Sequence, residues 1–398
     1  MPIAILALAL GTFGIGTTEF VIMGMLPQVG GDLGVDVPTA GQYVSSYAIG
    51  VVVGAPLLTA ATVRLPRRWT LIGLLALFTL GNLLSALAPT HLALLGTRFL
   101  TGLPHGAFFG VGVLVAASLV SPQRRGRAMA AVMLGLSIAN VVGVPAGTYV
   151  AQQLGWRWTF GAIALIGLAA MAAVAAFAPR QDAAAASSGS IRAELAGFAR
   201  PQVLLTLAVV IFGLGGLFAS YSYVAPMLTD VTGLAESAVP WVLVIVGIGM
   251  TVGSLVGGRL ADISTLGTLT AGLTLVITVL LGLAVFLDSP AAAIALFFLL
   301  GLASMGLGPG IQMRIIDQAG GAPTMVSAGV QSASHMANTI GAWLGGAVIA
   351  AGAGLRAPNV AGAVLAFTGL LFLSGSAVLE VRERRAARVA DEQSVAVG

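Results

Sequence analysis

Twelve stretches of this chain run for about twenty residues or more almost without charge. A helix crossing the hydrocarbon core of a bilayer needs about 20 such residues. Lipid offers no partner to a free backbone amide, so a spanning segment is either a helix or a strand of a closed barrel. The alternation of a barrel strand is absent here, which leaves helices. Reading between the charged and turn-rich breaks places them at 3–26, 39–62, 69–88, 92–118, 128–151, 158–178, 203–226, 239–260, 267–287, 291–313, 326–349 and 359–379. The first is too long for a signal-peptide core and has no basic flank, so it is kept as a span. The fold class expected is an all-α polytopic membrane protein.

Composition supports this reading and removes several functions. Of 398 residues, 58% are apolar and 8% charged, where a soluble domain carries about 25% charge. A water-soluble enzyme of this size would lack the charge to cover its surface. With no cysteine there are no disulfides or thiolate metal sites. The chain has no phosphate-binding Gly-Lys-Ser/Thr loop, no HExxH and only three histidines. No cofactor and no metal are expected, and ATP-driven pumping is unsupported. One elementary charge moving across 100 mV releases about 2.3 kcal/mol, so an ion gradient suffices as an energy source.

Every one of the 18 basic residues is arginine, and their placement orients the chain. Fifteen fall on one side: Arg64, Arg67 and Arg68 after span 2, Arg124, Arg125 and Arg127 after span 4, and Arg180, Arg192 and Arg200 after span 6. Arg259 and Arg314 end spans 8 and 10, and Arg382, Arg384, Arg385 and Arg388 lie in the tail. Only Arg157 and Arg356 fall on the other side, and Arg98 lies within span 4. By the positive-inside rule both termini are expected in the cytoplasm. Because this basic charge is spread through loops, nucleic acid is not an expected partner; the partners expected are the lipid bilayer, a small molecule and protons. A monomer is expected.

The organisation expected is a six-helix half at 1–179, a cytoplasmic linker at 180–202, a second six-helix half at 203–380 and a cytoplasmic tail at 381–398. The linker reads equally as a flexible tether and as a surface helix from Ile191 to Phe198. Small residues step by four in every third span: Ser46, Gly50 and Gly54; Gly135, Ala139, Gly143 and Gly147; Gly249, Gly253 and Gly257; Ala337, Gly341 and Gly345. Such a face lets another backbone approach closely. Four series in phase suggest four three-helix units.

Glu19, in Gly-Thr-Thr-Glu19-Phe, is the one acid of 14 inside an apolar run. A charge at such depth costs at least about 2.5–3.5 kcal/mol on the gentlest scale. A proton-handling or cation-binding acid is expected, the alternative being a structural hydrogen bond. Arg98 is the one basic residue inside a span. Each lies about six residues from the same end of its span, roughly 10 Å deep, so a conformation-dependent Glu19–Arg98 pair is expected; otherwise Arg98 ties backbone carbonyls. The polar side chains expected to line a binding site are Thr18, Tyr43, Tyr47, His105, Asn140, Tyr221, Tyr223, Gln331, His335 and Asn338. Amides and aromatics on cavity faces suit an uncharged, partly apolar ligand, though interface belts also hold tyrosines.

Several motifs carry a resemblance. Arg98-Phe-Leu-Thr-Gly102-Leu-Pro-His-Gly106 resembles the span-4 signature of drug:proton antiporters of the major facilitator superfamily. The segment from Gly135 through Gly143-Val-Pro145-Ala-Gly147 resembles their span-5 motif. Gly257-Gly-Arg259-Leu-Ala-Asp262 is similar to the loop signature that locks the cytoplasmic gate. The first-half loop keeps Arg64, Arg67 and Arg68 but has Val63 where the family has Asp. Gly-Thr-Thr-Glu19-Phe, Pro38-Thr-Ala-Gly41, Tyr223-Val-Ala-Pro226 and Gly321-Ala-Pro-Thr324 resemble a subgroup of arabinose-efflux-type permeases and actinobacterial chloramphenicol-resistance exporters.

The resemblance implies a twelve-span fold in two halves with a midplane site. It also implies proton-coupled efflux across the cytoplasmic membrane of a small neutral or amphipathic molecule. Chloramphenicol-like drugs come first, sugars or nucleosides second. Glu19 and Arg98 would carry coupling, with Gly143, Pro145, Gly147, Arg259, Asp262, Arg64, Arg67 and Arg68 gating. An uncoupled facilitator or a substrate sensor of the same fold is the rival.

Overall fold

A computed structural model describes residues 3–62, 64–179, 200–318 and 323–397. Val63, Arg180, Arg192, the expected linker helix at 191–198 and Gly321 lie outside them. Twelve helices are long and apolar enough to cross a membrane. They are α1 (Ile3–Gly24), α2 (Val37–Thr62), α3 (Arg67–Ala86), α4 (His91–Ser118), α5 (Pro122–Leu154) and α6 (Trp156–Phe177) in the first half. The second half holds α7 (Pro201–Tyr221), α8 (Glu236–Ile263), α9 (Thr265–Phe286), α10 (Pro290–Gln318), α11 (Gly329–Ala353) and α12 (Ala357–Glu383). All twelve expected spans are present. The helix of α12 runs on to Val397. An even number of crossings puts both ends of the chain at one face, the termini face; the opposite one is the far face.

Proline and glycine set the breaks. The chain bends at Met25, beside Gly24 and Pro27, and a short helix, Leu26–Leu33, follows α1. The first span therefore ends two residues before the expected boundary and gains a separate two-turn cap. Within α4 the helix turns at Leu103 and Pro104 before restarting at His105. In α5 a π-turn over Ala139–Gly143 precedes Pro145. Proline has no N–H to give the preceding turn and its ring crowds the carbonyl four residues back; the wider turn absorbs both.

The four small-residue series are four interhelical seams. A Cβ at Gly50 would meet the Phe99 carbonyl and one at Gly54 the Leu103 carbonyl, so α2 lies directly on α4. In the second half Gly253 lies on Leu302 and Gly257 on the Gly306 carbonyl, joining α8 to α10 in the same way. Gly135 faces the Ala9 carbonyl and Gly143 the Thr17 hydroxyl, which joins α5 to α1. Gly341 and Gly345 rest on the carbonyls of Gly215 and Ala219, joining α11 to α7. Each half thus repeats the same two seams.

The two halves meet toward the far face. Ser45 donates to the Thr339 carbonyl at 3.3 Å, joining α2 to α11. Gly247 of α8 abuts the Asn140 carbonyl of α5. Phe20 stacks on Phe218 with centroids 6.5 Å apart. At the far surface Glu236 accepts from Gln28 at 3.1 Å, and its backbone carbonyl accepts from Gln152 at 2.7 Å. Toward the termini face α5 and the end of α8 are largely exposed, Leu134, Ile138, Leu255 and Leu260 among them. Among the described residues, the hydrogen bonds and close glycine contacts between the halves lie at mid-depth or toward the far face, so the halves separate toward the termini face.

The two far-side arginines are both neutralised within their own halves. Arg157 pairs with Asp32, which also accepts from the Trp156 indole at 3.0 Å, and Arg356 pairs with Asp288. The Arg157 hydrogen bond holds the Asp32 carboxyl below its ordinary pKa.

Two predictions follow from the packing and the charge. Gly253→Ala should destabilise the protein by about 1–3 kcal/mol through overpacking. Gly258→Ala, whose Cβ meets nothing within 4 Å, should be neutral or stabilising by at most about 1 kcal/mol; thermal unfolding in detergent compares them. A depressed carboxyl pKa contributes stability above the unfolded value and loses it as pH falls through the folded one. Asp32→Asn should therefore lower the melting temperature at neutral pH, and the gap to wild type should close below about pH 4.

Candidate functional site

Glu19 sits on the part of α1 that faces the other half. Sixteen residues separate it from Ile3, about 24 Å of helix. Beyond Gly24 the Leu26–Leu33 helix still covers the far side, so the carboxyl is nearer mid-depth than span length alone suggests. Only 6% of Glu19 is exposed. His105, where α4 restarts, and His335 of α11 lie at the same level. Glu19 Oε2 is 3.9 Å from His105 Nδ1, and Oε1 is 3.6 Å from His335 Nδ1. The two imidazoles meet edge to face, 4.7 Å between centroids, and Phe109 stacks on His105 at 4.8 Å. One carboxylate from the first half thus lies between two imidazoles, one from each half.

Arg98 approaches from the other side and is fully buried. Its Nη1 donates to Thr18 Oγ1 at 3.2 Å, and the Thr18 hydroxyl donates to Asn82 Oδ1 at 2.6 Å. Asn82 is held in turn, its Nδ2 donating to the Phe78 carbonyl at 2.9 Å. Because Thr18 spends its single proton on Asn82, its lone pair is left to face the guanidinium. The Arg98 plane lies over the Tyr47 ring at 4.5 Å, with Phe160 at 5.5 Å. Such stacking attracts a cation through the ring quadrupole. Tyr47 Oη lies 2.9 Å from His105 Nδ1. A continuous path therefore runs from Arg98 across Tyr47 and His105 to Glu19 and His335.

Arg98 and Glu19 form no ion pair in this conformation. Arg98 reaches the residue before Glu19, and its Nε and Nη2 are buried without a hydrogen-bond partner. His335 Nδ1 and both amide atoms of Asn338, one turn further along α11, are likewise buried and unpartnered, as is Asn140 Oδ1. A buried polar atom left without a partner costs about 1–3 kcal/mol, and among the described residues more such atoms gather here than elsewhere.

The other sequence-predicted residues separate by depth. Tyr43 bonds His91 Nδ1 at 2.8 Å near the far face, and Tyr223 donates to the Ala342 carbonyl at 2.8 Å where it closes against Gly41. The Tyr43 bond joins α2 to α4 within the first half, whereas Tyr223 lies between the halves. Tyr221 packs on Phe20 at 6.4 Å, just above Glu19. Gln331 is exposed, one turn from His335 toward the termini face. Gly143 ends the π-turn of α5 and Pro145 and Gly147 follow it, with Gly147 against Val21 and Thr159. Arg64, Arg259 and Asp262 are exposed at the termini face. Arg68 donates to the Ala175 carbonyl inside the first half, so among the described residues none of these charges bridges the halves.

Asn82 and Phe160 were not among the residues singled out from sequence. Asn82 carries a signal in retrospect, as a lone amide inside an apolar run. Phe160 carries none, since one phenylalanine in a membrane helix looks like any other.

Comparison with known proteins agrees with the fold. The model of the Major Facilitator Superfamily matches residues 8–328. The chain is 41% identical to the inner membrane transport protein YdhP of Escherichia coli K12, covering 94% of this chain and 95% of that one. It is 33% identical to the putative transporter AraJ of the same strain, over 93% and 94% of the two chains. It is also 33% identical to the chloramphenicol resistance protein of Streptomyces lividans, over 93% and 95%. The fold matches the crystal structure of a bacterial homolog of the human lysosomal transporter Spinster in its inward-facing, unoccupied conformation. That match has a TM-score of 0.75 at 14% identity, covering 94% of this chain and 96% of that chain. Twelve helices in two halves, a polar cluster at mid-depth and these relatives make the chain a transporter of the Major Facilitator Superfamily, not an enzyme.

Proposed function

We propose that this transporter exports a small neutral or amphipathic molecule in exchange for protons, with chloramphenicol-like drugs the first candidates and sugars or nucleosides the second. The observation that carries the reading is Glu19, a nearly buried carboxyl between the two halves, flanked by His105 and His335 and one residue from the Arg98 anchor. Chemically, such a carboxyl alternates between a protonated form that tolerates low dielectric and an ionised form drawn to Arg98. With the termini in the cytoplasm, as the arginine asymmetry implies, the open cleft faces inward. Cargo enters there while Glu19 gives up its proton. Closing the termini side and opening the far side then releases the cargo and lets the carboxyl reload.

In this reading Thr18, Tyr47, Asn140, Tyr221, Gln331 and Asn338 line the route, and Tyr43 and Tyr223 shut its far end. The 33% identity to a chloramphenicol resistance protein supports the choice of drug, and the amide and aromatic lining suits an uncharged ligand. Gly143, Pro145 and Gly147 supply the flexible section of α5 that the change of access needs. Arg64, Arg67, Arg68, Arg259 and Asp262 lie where a termini-side lock would form once the cleft closes. The unit is a monomer, the cluster being assembled within one chain.

Purified protein in liposomes should accumulate chloramphenicol against its gradient when a pH gradient is imposed. Glu19→Gln should abolish that accumulation while leaving the unfolding temperature close to wild type. Pumping that survives the substitution would refute the role of Glu19. Equilibration without pumping in wild type would make the protein an uncoupled facilitator.

A further inference from the structure

We propose that His335 is a second proton-carrying residue, sharing the Glu19 proton across the interface and so holding the far side shut until that proton leaves. The proposal rests on Glu19 handling protons, and it assigns the coupling between protonation and the movement of the halves to a residue of the second half.

The geometry supports it in three ways. His335 Nδ1 is buried, has no hydrogen-bond partner and faces Glu19 Oε1 at 3.6 Å. That gap exceeds the roughly 2.7–3.2 Å of a nitrogen–oxygen hydrogen bond by well under 1 Å. Second, with the single ring proton of neutral His335 on Nε2, as the proposal takes it, the Nδ1 lone pair and a carboxylate oxygen repel, while one further proton between them makes a hydrogen bond from either side. Transfer is balanced: the O–H bond of Glu19 breaks, an N–H bond forms at His335 Nδ1, and no other reactant is needed. Third, His335 is on α11 while Glu19, Tyr47, Arg98 and His105 belong to the first half. One turn along α11, the Thr339 carbonyl accepts from Ser45 across the same far-side contact. These four groups are the charged and titratable side chains around His335. Among the described residues, α7, α10 and α12 add no ion pair to the cluster.

The order of events follows. With one proton in the cluster, carboxyl and imidazole attract across the interface and the far side stays closed. Loss of that proton through the open termini side leaves like lone pairs opposed, and the halves part at the far side. Proton release then precedes cargo exit, as exchange requires.

The chain has no cysteine, so nitroxide labels at Gly31→Cys and Ser237→Cys, both exposed on the far face, report the separation of the halves by pulsed spin resonance. In the labelled parent the closed-distance population should fall as pH rises from 5 to 9. His335→Gln, whose amide donates to Glu19 at every pH, should abolish this dependence or move its midpoint by more than about one unit. A merely structural His335 would change the distances equally at all pH values. If His335→Gln keeps the parent profile while Glu19→Gln flattens it, the inference about His335 is wrong and the Glu19 reading stands. If Glu19→Gln also keeps the profile, or the parent shows none, both fail. Should His335→Gln not fold, His335→Asn substitutes. With only three histidines, nitrogen-15 histidine spectra of the unmutated chain offer a second readout, in which the His335 ring titration must shift in Glu19→Gln.

Discussion

Contact between helix backbones, made possible where a side chain is missing, is what the rest of this molecule depends on. Lipid supplies little hydrophobic drive for helices to associate, so packing distance decides which ones do. Gly102 has no Cβ to hold off the Tyr47 carbonyl, and Gly50 none to hold off that of Phe99. That approach of α2 to α4 sets Tyr47 against Arg98 on one side and His105 on the other. The α1–α5 seam, through Gly135 and Gly143, fixes α1 and so the position of Glu19. The α7–α11 seam carries His335 to the same level from the second half.

The polar cluster costs stability, and its location explains why the molecule tolerates that cost. Arg98 is compensated by Thr18, Tyr47 and Phe160 rather than by a carboxylate, which leaves Glu19 free to interact elsewhere. Several neighbouring polar atoms have no partner in the protein. Natural proteins break their own packing rules mainly at functional sites. Here the breach lies at a depth where both halves contribute side chains. The cleft that reaches this depth opens at the termini face, while aromatic rings, Glu236 and the glutamines that meet it close the far side.

Membership of the superfamily supplies the frame for motion, since two six-helix units joined along two contacts can rock about a site between them. The α2–α11 and α5–α8 contacts are the ones that join the units. Both carry small residues, Gly41 and Gly346 beside Tyr223 and Gly247 beside Asn140, which let the two units approach closely there. Within the halves and between them alike, small residues let backbone approach backbone.

Much of this was legible in the chain itself. Apolar runs gave the twelve crossings because lipid forbids any other satisfaction of the backbone. Spacing by four marked the seams because it keeps one helix face free of bulk. Glu19 stood out because a carboxyl in an apolar run is costly enough to need a reason. Periodicity names the face a residue occupies but not the face opposite. For that reason the sequence suggested a conformation-dependent pair of Glu19 and Arg98 but not what else surrounds them, and in this conformation packing sets Arg98 against Thr18 and Tyr47 and imidazoles from α4 and α11 about the carboxyl. Nor does periodicity tell that Tyr43 bonds His91 within the first half or that Tyr223 bonds the Ala342 carbonyl beside Gly41. Those choices rest on which helices cross and at what height, a property of twelve segments packed together and of none alone.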